Sequence, residues 1–471
     1  MVWIHGGAFV FGTSTKFAAQ NIADLLCYKD VVVVTINYRL NIFGFFTTED
    51  NTVKGNFGLW DQNLALQWVR DNVGAFGGDS NRVTIIGESA GGASVGAHLM
   101  APVSRGLFHG AVLMSGSPLN IWAVKESGTT LESALAVVRA LQCPESESAA
   151  LVACLKEKSS DELVEAQKEM GYRAYDGSRF AFTPVVDGDF FPEPLFDLIR
   201  EAPKIPIIAG VTAMEGGAGM PIVPFHGPYE IDPQTWISEA TLRENTARMA
   251  KDHFLLRDID ERLEASLTDA LLLGYARDSG DGDGDQRTGE RRTRQYLEML
   301  GDAHLTKDIL EFGVKARESG SKVWLYEFDY YNDDMFPRTH RIKGSHHGMD
   351  LYYLFNITVA SLSLTNITYT REDAAVQALY TTLLTNFVKY GDPTPEGRRE
   401  LLKWDQTSAE RPLQHLHITP EPRMRSSLRD SHYKLWTETL RRLLNEAGLE
   451  KQPKLLRDTG KAREKDRRAE L

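Results

Sequence analysis

One serine of this sequence lies where chemistry requires a nucleophile to protrude, directly after a buried strand pattern. The β-branched run Val83 to Ile86 is followed by Gly87-Glu88-Ser89-Ala90-Gly91, and a helix-compatible segment continues from Ala93 to Met100. A serine hydroxyl is a weak nucleophile until a base takes its proton, so a base and an acyl carbonyl must both reach it. A sharp turn between strand and helix exposes the hydroxyl, and flanking glycines leave room for the turn. The pattern predicts that Ser89 attacks a carbonyl carbon.

The glycine-serine-glycine pattern is not specific by itself, because Gly92-Ala93-Ser94-Val95-Gly96 fits it as well. No strand pattern precedes Ser94, which falls within the predicted helix. There its hydroxyl is expected to bond the backbone. The context therefore favours Ser89 as the nucleophile.

Two polar residues that follow later apolar runs are candidates for the acid and the base of a catalytic triad. Glu215 comes just after the run Ile205 to Val211, and His347 lies in a polar segment beyond the run Val323 to Phe328. Catalytic loops of parallel sheets leave the carboxyl ends of the strands. The order serine, acid, histidine is that of α/β-hydrolases and differs from the orders in the two large serine-protease folds. We predict Glu215 as the acid and His347 as the base.

A loop of small residues after the first apolar run could bind the negative charge of a tetrahedral intermediate. It reads His5-Gly6-Gly7-Ala8-Phe9, and small residues let backbone N–H groups approach a ligand closely. We predict an oxyanion hole formed by the N–H groups of Gly7, Ala8 and Ala90, each lowering the barrier by about 3 to 4 kcal/mol. The alternative is a glycine-rich turn that only connects two elements.

A parallel sheet is needed to bring these residues together. The candidate strands are Val2 to His5, Val31 to Ile36, Val83 to Ile86, Ala111 to Met114, Ile205 to Val211 and Val323 to Phe328. Helical patterns lie between them, so the sequence predicts an α/β fold, a doubly wound and mostly parallel sheet with helices on both faces. One such helix runs from Trp60 to Asn72, with an expected apolar face of Leu59, Leu64, Leu66, Trp68 and Val69.

Composition excludes several other function classes. The 471 residues are 42% hydrophobic and carry a formal net charge of -12, which disfavours a nucleic-acid partner, and no apolar run approaches membrane-spanning length.

The acidic segment Asp281 to Asp285 lacks the glycine and the glutamate of a calcium loop at its sixth and twelfth positions. Adjacent His346 and His347 would point opposite ways and would not chelate one ion. We predict no metal and no cofactor.

The sequence resembles the type-B carboxylesterases, the family that includes the cholinesterases, from Val2 to about Leu444. The resemblance is carried by Trp3 to Phe9, Asn56 to Gln62, Phe76 to Asp79, Gly87 to Gly92, Glu215-Gly216 and His347-Gly348. It implies the α/β-hydrolase fold, Ser89, Glu215 and His347 as the triad, and Gly7, Ala8 and Ala90 as oxyanion donors. These roles agree with those inferred from the residues.

The resemblance also implies an acyl pocket and sets limits on the specialised subclasses. Trp122 matches an acyl-pocket tryptophan of the family, and Phe180 and Phe182 are candidates for the same pocket; aromatic core residues are the alternative. Cholinesterases have an aromatic residue shortly after the acid that faces the substrate cation, where this chain reads Gly216 to Gly219. Juvenile-hormone esterases have glutamine before the nucleophile, where this chain has Glu88. Neither subclass is supported.

Two features, a cysteine pair and two glycosylation triplets, indicate an oxidising compartment, either outside the cell or in the ER lumen. Cys143 and Cys154 have the spacing of a family disulfide, which would contribute about 3 kcal/mol, and Cys27 is left over. Asn356 and Asn366 begin glycosylation triplets. The C-terminal Arg-Ala-Glu-Leu departs at two positions from an ER-retention signal.

We expect residues 1–449 to form one α/β-hydrolase carboxylesterase domain that lacks the family's N-terminal strands, and residues 450–471 to form a disordered basic tail. No secretory signal is recognisable near Met1. The segment Val31 to Thr35 would then be an open sheet edge that is prone to aggregation. No feature indicates an oligomeric state.

Two functions from different classes remain open. The first is a serine carboxylesterase that hydrolyses small-molecule carboxylic esters through an acyl-enzyme at Ser89. The alternative is a non-catalytic, cholinesterase-like adhesion or binding module, or an inactive fragment. In adhesion relatives of this family the nucleophile is typically replaced, whereas all three triad residues are present here.

Overall fold

An eight-stranded sheet forms the centre of the part of the chain that the computed structural model describes. The described residues are 1–125, 131–145, 147–169, 181–219, 235–254, 256, 259–276, 285–336, 341–356, 367–397 and 402–449. The strands are β1 (Val2–Ile4), β2 (Val34–Ile36), β3 (Thr84–Glu88), β4 (Gly110–Met114), β5 (Ile207–Thr212), β6 (Val323–Phe328), β7 (His415–Ile418) and β8 (Arg423–Arg425). Their order in the sheet is β2-β1-β3-β4-β5-β6-β7-β8, and every pair is parallel except β7 with β8.

Helices connect the parallel strands. Those in the described residues are α1 (Ala19–Leu25), α2 (Asn41–Phe45), α3 (Phe57–Asn72), α4 (Ala90–Met100), α5 (Leu131–Ala140), α6 (Ser148–Lys156), α7 (Ser160–Glu169), α8 (Leu195–Glu201), α9 (Glu239–Phe254), α10 (Glu261–Gly274), α11 (Asp285–Gly301), α12 (Lys307–Glu318), α13 (Asp350–Phe355), α14 (Arg371–Tyr390), α15 (Asp430–Lys434) and α16 (Leu440–Glu446). Two π-helical turns, Asp302–Thr306 and Leu435–Thr439, join α11 to α12 and α15 to α16.

Both faces of the sheet are buried, each under its own apolar cluster. Val2 and Ile4 of β1 belong to one cluster and Trp3 between them to the other, and Ile85 and Ile86 of β3 divide in the same way. Side chains alternate between the faces of a strand, so an unbroken apolar run is what a strand covered on both sides requires. The predicted doubly wound sheet, and all six predicted strands, are confirmed.

Helix α3 corrects one expectation about the core. Leu59, Leu66 and Val69 are buried as predicted, but Leu64 is 65% exposed and Trp68 is 46% exposed. The buried face is instead completed by the polar residues Gln62 and Asn63. Their side chains form hydrogen bonds with buried partners. Gln62 donates to Oγ of Ser94 in α4, and Asn63 donates to Oγ of Ser104 after α4. The prediction from apolar residue type alone was therefore wrong for Leu64 and Trp68, which lie on the exposed face of α3.

Four further predictions concern the edge of the sheet, the disulfide, the C-terminal tail and membrane-spanning segments. Within the described residues β2 pairs only with β1, so it lies at an edge of the sheet. Cys143 and Cys154 form a disulfide between the end of α5 and helix α6. The predicted tail, residues 450–471, lies outside the described residues. No helix in the described ranges is long and apolar enough to cross a membrane.

Candidate active site

Ser89 occupies a tight turn between β3 and α4. Its backbone has φ 58° and ψ -122°, and its N–H donates to the carbonyl of Met114 at 2.8 Å. A positive φ is unfavourable for a residue with a side chain, so the turn is strained. It also has no space at the flanking glycines: a Cβ on Gly91 would lie 2.1 Å from the carbonyl oxygen of Ile4, and one on Gly87 would lie 2.4 Å from that of Gly91. The glycine pattern is therefore a packing requirement.

The glycine loop after β1 packs directly against this turn. A Cβ on Gly6 would lie 3.0 Å from Cβ of Ser89, and the loop continues through Gly7 and Ala8 with φ of 118° and 55°. Among the described residues, no acceptor receives a hydrogen bond from the N–H groups of Gly7, Ala8 or Ala90. Unpaired N–H groups beside a nucleophile can stabilise a developing oxyanion.

Glu215 and His347 form a close hydrogen-bonded pair. Nδ1 of His347 lies 2.6 Å from Oε2 of Glu215, which is 2% exposed. The other oxygen, Oε1, accepts from Oγ of Ser115 at 2.5 Å and from the N–H of Thr212 at 2.7 Å. A carboxylate held at both oxygens fixes the imidazole ring and favours a proton on Nδ1, which leaves Nε2 as the basic nitrogen.

Nε2 of His347 faces a second carboxylate rather than the serine. It lies 3.2 Å from Oε1 of Glu88, the buried residue that precedes Ser89. No hydrogen bond in the described part of the chain joins Oγ of Ser89 to His347. The structure thus brings Glu215 and His347 into contact, and it brings His347 beside the nucleophile turn through Glu88. Hydrogen bonds of catalytic bases are often long or misaligned until substrate binds.

Comparisons with known proteins identify the family of the chain. The model of the Carboxylesterase family matches residues 1–436. The chain belongs to the carboxylesterase family. Esterase cest-33 of Caenorhabditis elegans is 34% identical to it over 430 residues, which cover 90% of this chain and 72% of that protein. Acylcarnitine hydrolase of Mus musculus is 32% identical, covering 95% and 72%, and cocaine esterase of Homo sapiens is 31% identical, covering 95% and 73%.

Membership of the carboxylesterase family confirms the α/β-hydrolase fold and ester hydrolysis as the function. Each of the three relatives carries the name of an esterase or hydrolase. The non-catalytic alternative is therefore not favoured.

Three buried carboxylates control the charge of the histidine in this carboxylesterase. Burial lowers the pKa of His347, but the nearby carboxylates of Glu88 and Glu215 outweigh burial and raise it to about 9. Burial also raises the pKa of Glu88, and burial with the charges of Glu88 and Glu215 raises the pKa of Asp350 to about 7.

Sequence reasoning missed Ser115 and underused Glu88. Ser115 directly follows β4, at φ 50°, and donates to the predicted acid. Its place at the end of a strand, the same signal that predicts Glu215, could have identified it. From the sequence, Glu88 serves only to distinguish the chain from juvenile-hormone esterases. Its 3.2 Å contact with His347 could not be predicted, because the two residues are distant in sequence.

Two of the three predicted acyl-pocket residues, Trp122 and Phe182, are buried in the same apolar cluster. Trp122 is buried, its Nε1 donates to the carbonyl of His304 at 2.8 Å, and its ring lies 6.4 Å from that of Phe9 in the glycine loop. Phe182 is buried near Phe46, with ring centroids 6.4 Å apart. Phe180 lies outside the described residues. The ring contact with Phe9 places Trp122 beside the glycine loop.

The remaining predicted sites are peripheral. Asn356 is exposed at the end of α13, while Asn366 lies outside the described residues. Cys27 is exposed and is not in a disulfide. The described ranges contain no group of three or more His, Cys, Asp or Glu side chains arranged to hold a metal ion.

Proposed function

We propose that this protein is a serine carboxylesterase in which Ser89 is the nucleophile, His347 the base and Glu215 the acid that orients it. The observation that carries the proposal is the 2.6 Å contact between Nδ1 of His347 and Glu215, formed beside the strained Ser89 turn. The unpaired N–H groups of Gly7, Ala8 and Ala90 support an oxyanion hole at the same place.

The reaction proceeds in two halves. Nε2 of His347 takes the hydroxyl proton of Ser89 as Oγ attacks the ester carbonyl carbon, and the oxyanion accepts hydrogen bonds from the three amides. The carbonyl re-forms, the bond to the alkoxy group breaks, and His347 gives its proton to the departing alcohol. Water then attacks the acyl-enzyme with His347 again as base, releasing the acid and free Ser89. Nε2 must exchange its contact with Glu88 for one with Ser89 in the first step.

The substrates are small-molecule carboxylic esters, with Trp122 contributing to the acyl pocket. Residues 1–449 act as one domain that needs no metal, cofactor or nucleic acid. We place the protein outside the cell or in the ER lumen, since the disulfide between Cys143 and Cys154 requires oxidising conditions and Asn356 is exposed for glycosylation.

Labelling with a fluorophosphonate probe tests the nucleophile. The wild-type chain should hydrolyse an aryl ester and take up the probe, whereas Ser89→Ala should lose both, with turnover falling by about 10⁶-fold. Ser94→Ala is the matched control, because Ser94 fits the same sequence pattern but its Oγ donates to the carbonyl of Ala90 within α4. Labelling that survives Ser89→Ala, or that needs Ser94, would refute the assignment.

A further inference from the structure

A nearly buried arginine before α15 contacts the segment that carries the proposed catalytic acid. Nη2 of Arg429 donates to the carbonyl of Ala213, two residues before Glu215. Nη1 donates to Oδ1 of Asp302 at 3.2 Å, and Nε lies 3.7 Å from Oε1 of Glu327 on β6. One guanidinium group therefore joins the acid segment, the π-helical turn after α11 and the sheet.

The anchor that holds this arginine is itself rigid. Asp302 is 2% exposed, and its Oδ2 accepts from the hydroxyl of Tyr275 at 2.8 Å and contacts Nδ1 of His432 at 3.0 Å. Nε1 of Trp436 donates to the Tyr275 hydroxyl at 2.7 Å. A buried carboxylate with several partners has few alternative positions, so Arg429 is fixed on the side away from Ala213.

Backbone hydrogen bonds also hold the acid segment in place. The N–H of Ala213 donates to the carbonyl of Phe328, and the N–H of Met214 donates to the carbonyl of Ser345, two residues before His347. These bonds join the acid segment to the end of β6 and to the histidine loop. The contact of Arg429 holds the opposite, carbonyl side of the same peptide segment.

We propose that Arg429 is a positioning residue for catalysis, which holds the carbonyl of Ala213 so that Glu215 keeps its hydrogen bond with His347. The inference rests on the proposed function, because it assigns Glu215 as the orienting acid. An arginine that served stability alone would need only its carboxylate partners. This one also directs a charged donor at a backbone carbonyl next to the acid, and it does so from a left-handed backbone with φ 48°.

The direct test replaces Arg429 and normalises turnover to the sites titrated by the fluorophosphonate. Arg429→Met should lower kcat per titrated site by about 10- to 100-fold with a smaller change in KM, because a misplaced catalytic group affects the chemical step. The acid limb of the pH profile should also move to lower pH. Glu88, Glu215 and Asp350 are the carboxylates that raise the pKa of His347, and withdrawing Glu215 removes one of them.

Two further measurements keep the test decisive if Arg429→Met folds poorly. Arg429→Lys keeps the charge but cannot reproduce the planar fork, so its normalised kcat should lie between those of the wild type and the methionine variant. Second, a cavity of about 310 Å³ opens beside Arg429, lined also by Tyr275, Glu327 and His432 but by no triad residue. Guanidinium ion at millimolar concentration should enter the space left by Arg429→Ala and restore part of its turnover.

Arg441→Met is the matched control. Arg441 pairs with Glu311 at 3.5 Å, so its loss removes an arginine–carboxylate contact that has no link to the acid segment. This variant should keep the wild-type kcat per titrated site and the wild-type pH profile. If Arg429→Lys also keeps both, and guanidinium does not affect Arg429→Ala, then Arg429 is only structural. If the wild type neither turns over esters nor takes up the probe, the proposed function fails instead.

Discussion

Replacing Glu88 by glutamine should move the pH dependence of ester hydrolysis. Oε1 of Glu88 lies 3.2 Å from Nε2 of His347, and its charge is the first of the influences that raise the pKa of that histidine to about 9 against burial. In the proposed mechanism His347 must be neutral to accept the proton of Ser89, so we expect activity to be lost as pH falls through this pKa. The sequence alone places that loss near the ordinary histidine value of about 6.5, whereas the structure places it at higher pH.

The size of the change follows from the contact. An opposite charge within about 4 to 6 Å shifts a pKa by about 1 to 3, and a change of 1 corresponds to about 1.4 kcal/mol. Glutamine has nearly the shape of glutamate without its charge, so Glu88→Gln should lower the kinetic pKa of the free enzyme by about that amount. Glu215 and Asp350 remain, so the value should stay above that of a buried histidine with no acidic neighbour.

The assay is kcat/KM for a neutral aryl ester measured between pH 5 and 10, where the acid limb reports the free enzyme. Glu88→Gln should retain more of its maximal activity at low pH than the wild type does. Glu244→Gln is the control, because Glu244 is an exposed residue that pairs with Arg248 and should leave the limb unchanged. An identical acid limb in the wild type and in Glu88→Gln would show that Glu88 does not contact His347 in the working enzyme, and the reasoning would be refuted.

Two other predictions address specificity and packing. Neutral aryl esters should be hydrolysed with a higher kcat/KM than their choline isosteres, since Gly216 to Gly219 offer no aromatic face to a cation; a tenfold choline advantage would contradict this. Leu66→Ala should lower the free energy of unfolding by about 2 to 5 kcal/mol, because Leu66 is fully buried, while Leu64→Ala on the exposed face of α3 should change it by less than about 0.5 kcal/mol. Denaturant titrations of both variants measure the difference, and equal losses would mean that the two faces of α3 are wrongly assigned.

The central sheet could be predicted because strands that are buried on both faces appear as short apolar runs. Strands β7 and β8 could not, since they read His-Leu-His-Ile and Arg-Met-Arg, in which polar residues interrupt any apolar run. The same limit explains the exposed Leu64 and Trp68. Which face of a helix is buried depends on partners such as His98 and Ser104, which satisfy Gln62 and Asn63 inside the protein.

The candidate site divides in a similar way. Ser89, Glu215 and His347 could be named from the sequence because parallel strands deliver their carboxyl ends to one edge, and each residue follows such an end. The side chains that affect the charge or the position of these residues follow no such rule. Glu88, at the end of β3, contacts His347 in the segment that follows β6. Arg429 contacts Ala213 across a sequence separation of 216 residues. Strand ends identify the groups that we propose carry out the chemistry, but the charge of His347 and the position of Glu215 depend on side chains that only the folded chain brings near them.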